Sequence, residues 1–195
     1  MVHNETIKLI IGLGSNLSSQ LGSPIDQIKA ALSVISEDDA FTLIAESSYF
    51  ASPAWPVETP PKPDYVNAAA QVETALPLRT VMDRLLDIEQ DFGRVRDGLW
   101  SSRTLDLDIL AAQVSPYPDE ASWRQARNHW EKTGEREPLG SLFVPHLRLT
   151  ERAFALRPLL DLAGDWIDPI SGQSFNDLYL KLPDSEKTSL TKLAL

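Results

Sequence analysis

Residues 77–112 read PLRTVMDRLLDIEQDFGRVRDGLWSSRTLDLDILAA, and a change of period within them decides the fold. In the first half Leu78, Val81, Leu85, Ile88 and Phe92 recur at three- and four-residue spacing, the apolar stripe of a helix that Gly93 ends. From Thr104 the period drops to two. Leu105, Leu107 and Ile109 then share one side of a strand, facing a core, while Asp106 and Asp108 project together from the other. A helix followed by a half-buried strand is the second half of a split unit whose first half must lie upstream.

Upstream, IKLIIGLGSN (7–16) is an apolar run ending at Gly12 and Gly14, suited to a first strand and a tight turn. Ile25, Ile28, Leu32 and Ile35 follow at helical spacing, with Ser23 as N-cap and Pro24 in the first turn. FTLIAESSYFAS (41–52) reads as one second strand. DYVNAAAQVETAL (64–76) reads as a third, with Val66, Ala68, Ala70 and Val72 on one side. The five prolines between Pro53 and Pro63 make the intervening stretch a stiff loop outside any ladder. Downstream, residues 113–142 depart from the pattern and read as an insertion, with an amphipathic helix around Trp123, Ala126 and Trp130 closed by Gly134. ERAFALRPLLDLAG (151–164) is a further helix, interrupted or kinked at Pro158. A last short helix spans 175–182, and the end beyond Pro183 is expected to fray. The order β, α, β, β, α, β predicts an α+β, ferredoxin-like (split βαβ) antiparallel sheet with helices on one face. The expectation is a single domain over 1–195 with the insertion at 113–142.

Composition narrows the function. The 43% hydrophobic and 24% charged content of the 195 residues is that of a globular chain, not a disordered one. A net charge of -10 disfavours a nucleic-acid surface, while a small anion needs only a local cationic cluster, such as the basic run at 94–103. Without cysteine, disulfides, thiolate metal sites and a cysteine nucleophile are excluded. No signal-peptide pattern and no run of about 18 apolar residues is present, so a soluble, cytoplasmic protein is expected, with no membrane partner.

Two carboxylates held together repel unless a cation sits between them, and oxygen donors of this kind suit Mg²⁺ shared with phosphate oxygens. Arg94, Arg96 and Arg103 fit the same ligand, since guanidinium forks bind phosphate bidentately. The plainer alternative is an edge strand whose aspartates pair with those arginines. His146, after a proline, could donate to a phosphate or cap a loop. Arg152, in the first turn of the next helix, opposes the dipole and so hints at an anion. Tyr65 and Asn67 share a strand face where a planar ring could stack and be read, or simply close a loop. Phe154 and Trp55 could be core, and Glu89 solvated or hydroxyl-binding. GLGSN lacks the glycines of a dinucleotide fingerprint and the ending of a P-loop.

The motifs GLGSN, SPAWP…PDYVNAA, IEQDFGRVR, W..SRTLDLDIL and VPHL…ERAFALRPL occur in the order of the 6-hydroxymethyl-7,8-dihydropterin pyrophosphokinases of folate biosynthesis, which the chain resembles over 8–112 and 143–166. The resemblance implies transfer of pyrophosphate from ATP to the pterin hydroxymethyl group, releasing AMP, in a ferredoxin-like domain. It implies two Mg²⁺ ions on Asp106 and Asp108, with Arg94 and Arg103 joining these aspartates in the chemistry. Glu89, Arg96, Ile109, His146 and Arg152 would serve the nucleotide, and Pro53, Ala54, Trp55, Tyr65, Asn67, Trp100 and Phe154 the pterin. ATP and the pterin would be the partners of a monomer or weak homodimer. Ser101 and Ser102 stand where the family has Gly-Pro, Leu86 where it has glutamine and Leu147 where it has an aromatic. A homologue that binds pterin or nucleotide with little or no turnover, and a kinase for another alcohol, are the competing readings.

Overall fold

The computed structural model describes residues 5–54, 62–93, 103–135 and 140–194. The first strand, β1 (Ile7–Ser15), leads into α1 (Pro24–Glu37), and β2 (Thr42–Glu46), β3 (Phe50–Ser52) and β4 (Tyr65–Thr74) follow. After α2 (Leu78–Asp91) and β5 (Asp106–Ala112) come α3 (Glu120–Thr133), a single 3₁₀ turn at Leu149–Glu151, α4 (Ala153–Ala163), α5 (Phe175–Leu180), α6 (Asp184–Thr188) and β6 (Thr191–Lys192). Among the described residues the strands form one sheet in the order β5-β1-β4-β3-β6, with β2 also on β4 and every pairing antiparallel.

Helix α1 begins as its sequence requires. The Ser23 side chain accepts from Asp26 N–H, Asp26 accepts from Ser23 N–H, and Pro24 needs no partner for its missing donor. Its Ile28, Ala31, Leu32 and Ile35 pack with Leu78, Val81, Leu85 and Ile88 of α2 against Leu9, Ile11 and Leu13 of β1 and Leu107 and Ile109 of β5. Each fully buried Leu or Ile contributes about 1.5–3 kcal/mol.

The opposite face is covered too, which a sheet with helices on one face does not anticipate. Ile10, Ala69, Leu110 and Ala111 pack there under Leu156 and Leu159 of α4, with Leu149 and Phe175. Alternation along β5 puts Leu110 on this face with Asp106 and Asp108, and the register slip against β1 between Ile10 and Ile11 then turns Ala111 to the same face.

Three further expectations are corrected. Residues 41–52 form two strands, because the Ser47 hydroxyl takes the Ala69 N–H at 2.8 Å that a continuous ladder would have used. Ser48 N–H turns to Asp161 of α4 at 2.9 Å, completing the break. Pro158 lies inside α4, so the helix is not interrupted there. The tail beyond Pro183 forms α6 and then β6, paired with β3 at Phe50 and Ala51. The helix expected around Trp123 is present as α3, N-capped by Asp119 and closed by Gly134 at φ 68°.

Candidate active site

Helix α4 covers its face of the sheet as far as Ile10, Ala69 and Leu110. Past them the register sets Gly12 beside Asp108, and Gly14 between Asp106 on β5 and Asn67 on β4. A side chain added at Gly14 would meet Asp106 Cβ at 3.8 Å and both Asn67 Oδ1 and a Tyr65 ring carbon at 3.9 Å. Gly14 therefore leaves an open floor on β1, with Asp106 along one side and Tyr65 and Asn67 along the other, while the Leu110 side chain covers Gly12 beside Asp108. Asp106, Asp108 and Tyr65 are half-buried, and Asn67 is buried.

Asn67 is fixed by its own strand pair. Its Nδ2 donates to Ser52 Oγ at 2.9 Å and to the Phe50 carbonyl at 3.3 Å. A carbonyl only accepts, so the amide nitrogen must face β3 and Oδ1 must face the Gly14 floor. Pro53 and Ala54 continue from Ser52, the proline exposed and Ala54 buried.

Arg103 pairs with Asp106 through Nη1, so the ion pair of the plainer sequence reading does form. Burial pulls the Arg103 pKa down, but the Asp106 charge and hydrogen bond, then the Asp108 charge, outweigh it and hold it above its usual value. This guanidinium stays charged. Its main chain is anchored by a residue that the sequence had offered only as part of a turn. Asn16 Oδ1 accepts the Arg103 N–H at 2.8 Å, and the Arg103 carbonyl accepts from Asn16 N–H at 3.1 Å and Leu17 N–H at 3.3 Å. Asn16 Nδ2 also donates to the Pro63 carbonyl at 3.2 Å. One buried amide thus joins the end of β1 to the segments before β4 and before β5. The signal that could have found it is a polar residue directly after a glycine-rich strand end, where chain segments converge with unpaired backbone groups.

Glu89, expected at the nucleotide, is 1% exposed and accepts the Leu107 N–H at 2.7 Å. It braces α2 against the outer edge of β5. Ile109 is 2% exposed within the core, which corrects any side-chain role toward a ligand. Alternation from Leu107 leaves its main chain at that same outer edge. His146 N–H donates to the Leu110 carbonyl at 2.9 Å, two residues beyond Asp108. Its Nδ1 accepts from Arg148 N–H at 3.1 Å, so the neutral ring carries its proton on Nε2. Arg152 is not in the first turn of α4 but is its N-cap, at φ -120°, and its guanidinium lies 5.6 Å from the centre of the half-buried Phe154 ring. Trp55, Arg94, Arg96 and Trp100 lie outside the described residues.

Among the described residues no cluster of three or more His, Cys, Asp or Glu side chains could hold a metal by itself. Two carboxylates beside an open floor suit an ion that takes the rest of its shell from phosphate and water, as Mg²⁺ does. Among the same residues no helix is long and apolar enough to cross a membrane.

Two substitutions should separate packing from function on the floor. A Cβ at Gly12 would sit 2.9 Å from Leu110 Cγ and 3.0 Å from both of its methyls, in a well-filled layer. Gly12→Ala is expected to lower stability by about 1–3 kcal/mol, read by urea unfolding. Gly14→Ala has room, so it should unfold as the wild type does while obstructing any ring laid across the strand. Asn16→Ala strands the Arg103 N–H and the Pro63 carbonyl, and should cost roughly 2–4 kcal/mol by the same measurement.

Residues 10–164 match the family model described as 7,8-dihydro-6-hydroxymethylpterin-pyrophosphokinase (HPPK). The chain is 34% identical over 184 residues to the 2-amino-4-hydroxy-6-hydroxymethyldihydropteridine pyrophosphokinase of Haemophilus influenzae, covering 94% of this chain and 98% of that one. Over 161 residues it is 36% identical to the enzyme of the same name from Pseudomonas aeruginosa, covering 81% of this chain and 82% of the relative. The crystal structure of wild-type Plasmodium falciparum HPPK-DHPS superimposes with a TM-score of 0.60 at 15% identity, covering 93% of this chain and 45% of that one, a likeness of fold.

Proposed function

Because the chain belongs to the 7,8-dihydro-6-hydroxymethylpterin-pyrophosphokinase family, we propose how its own residues perform that family's reaction. The protein is an ATP-dependent pyrophosphokinase, a transferase that moves pyrophosphate from ATP to the hydroxymethyl group of hydroxymethyldihydropterin in folate biosynthesis. The observation that carries the residue assignments is the open floor at Gly14, between Asp106 of the acid pair and the Tyr65 and Asn67 ring-and-amide pair.

The pterin lies over Gly14, with the Tyr65 ring against it and Asn67 Oδ1 accepting from its N–H edge. Pro53 and Ala54 flank it, and Phe154 closes it from α4. Family enzymes are generally Mg-dependent, and Asp106 and Asp108 are the residues that would hold two Mg²⁺ ions with the triphosphate. Held there, a metal ion would supply neutralisation of the charge that builds on the phosphate oxygens. Arg103 exchanges its bond to Asp106 for a phosphate oxygen, which frees that carboxylate at the moment it is needed. Arg94 and Arg96 are assigned beside it, and Trp100 and Trp55 beside the pterin, on resemblance alone.

The His146 Nε2–H and Arg152 donate to the nucleotide phosphates, and Ile109 offers its edge main chain to the nucleotide. Glu89 serves it indirectly, by fixing that edge through Leu107. In the transfer the hydroxymethyl oxygen bonds to the β-phosphorus, the bond to the α-phosphate oxygen breaks, and AMP leaves. Asp108 is the assigned acceptor of the alcohol proton.

Two Mg²⁺ ions, a ferredoxin-like description of the sheet, a single domain over 1–195 with an insertion at 113–142, and a cytoplasmic monomer or weak homodimer are parts of the same proposal. The test is AMP release with MgATP and 6-hydroxymethyl-7,8-dihydropterin. Release that depends on the pterin supports the reading. Binding of both substrates without AMP makes the protein a binder and removes it.

A further inference from the structure

The segment carrying α3 has no part in the transfer as described, yet its polar contacts converge on the loop that holds His146. Trp123 Nε1–H donates to the Pro145 carbonyl at 2.6 Å. Arg127 Nη1–H donates to the Leu147 carbonyl at 2.7 Å, its Nη2 pairs with Glu151 and its Nε with Glu131. The Trp130 ring lies 4.2 Å from the Arg148 guanidinium, and Arg148 pairs with Glu151 at 3.3 Å. Trp123, Arg127, Pro145 and His146 line one groove.

Two peptide groups near His146, the one before it and the second one after it, are therefore each held at both ends. The Pro145–His146 peptide has its carbonyl on Trp123 and its N–H on the Leu110 carbonyl of β5. The Leu147–Arg148 peptide has its carbonyl on Arg127 and its N–H on the imidazole Nδ1 of His146 itself. A peptide is planar, so tilting its carbonyl swings its N–H by the same angle. Arg127 thus acts on the ring through one rigid plane, and Trp123 sets the backbone from which the ring projects.

We propose that Trp123 and Arg127 are positioning residues that lock the His146 ring in its Nε2–H tautomer and aim that proton at a nucleotide phosphate. The proposal rests on the reading of His146 as a phosphate donor. It gives the 113–142 segment a function: a brace outside the sheet that preorganises one donor. Each brace bond is buried or nearly so. Trp123 is 8% exposed, and the Arg127 side chain 16%, so water competes poorly for either carbonyl.

The test uses the full-length protein with Trp123→Phe, which keeps an aromatic ring of smaller size and loses the donor, Arg127→Gln, which removes the fork, and Arg127→Lys, which restores a donor. The chain has three histidines, so the ¹⁵N resonances of His146 are assigned by their absence in His146→Gln. In the wild type Nδ1 should resonate as an unprotonated acceptor and Nε2 as a protonated nitrogen. Arg127→Gln should mix the tautomers and raise the KM for MgATP about tenfold, with the pterin KM within about twofold and Arg127→Lys recovering part of the loss. Trp123→Phe should raise the MgATP KM in the same direction.

Unchanged tautomer and MgATP KM in both variants overturn the proposal. So do equal rises in both KM values that track a lowered Tm, the signature of general loosening. A His146→Gln protein that loses ATP affinity beside an Arg127→Gln protein that does not removes only the proposal. A His146→Gln protein with an unchanged MgATP KM removes the donor reading and the proposal together.

Discussion

Asp108→Asn and Asp106→Asn each abolish AMP release, lowering kcat by at least about a thousandfold, in proteins that still unfold cooperatively. Asparagine keeps the size and strand preference of the residue it replaces and removes only the anionic oxygens. Both positions are half-buried on the open side of β5, so neither substitution disturbs the Leu107 and Ile109 layer beneath. The two variants should differ in stability. Asp106 is the ion-pair partner of Arg103, and both side chains are 23% exposed, so Asp106→Asn leaves a largely shielded guanidinium poorly matched. Asp106→Asn should therefore melt below Asp108→Asn. Rates come from a coupled AMP assay and stability from thermal unfolding. Wild-type turnover in either variant would remove the metal assignment, whatever the melting curves show.

Arg103→Ala is expected to lower kcat by about a hundredfold or more while the Kd for the pterin stays within about threefold. Its guanidinium is bound to Asp106 and influenced by Asp108, both on the acid side of the floor, and its charge is secured by them. Arg103→Lys should recover little. A lysine keeps the charge but presents a point instead of a fork, and a tetrahedral array of phosphate oxygens rewards the fork. Single-turnover AMP formation measures the first quantity and pterin fluorescence titration the second. A loss of pterin affinity as large as the loss of rate would place Arg103 on the wrong substrate.

Much of this site was legible because it is built on regular strands. Period-two alternation separated Asp106 and Asp108 from Leu107 and Ile109, and it put Tyr65 and Asn67 on the face opposite Val66, Ala68 and Ala70. The capped start of α1 and the apolar stripe of α2 were equally local, and both helices lie where their stripes required. What escaped reading depends on partners distant in sequence. Glu89 read as solvated or hydroxyl-binding, and by resemblance as a nucleotide residue, yet its carboxylate accepts the Leu107 N–H, 18 residues on, and it is buried as a brace. Asn16 holds Arg103 across 87 residues, and no local periodicity announces such a tie. The break at Ser47 is of the same kind, since a serine hydroxyl can replace a ladder bond only when the right N–H of β4 stands opposite. Helix α4 covers the second face, where Ile10 and Leu110 alternate with the residues of the first core, and the slip that adds Ala111 to that face is invisible to a strict alternation.

The last two-residue strand has a consequence for solubility. β3 borders the sheet beyond β4, and Thr191 and Lys192 pair with Ala51 and Phe50, with the Leu193 N–H reaching the Tyr49 carbonyl at 2.9 Å. They occupy backbone groups that would otherwise template another molecule's strand, and a lysine ends the row, a common guard against cross-molecule stacking. Deleting residues 190–195 should therefore make the protein self-associate as its concentration rises, a trend that light scattering would follow. The tail works as a stopper that keeps this molecule from recruiting its neighbours.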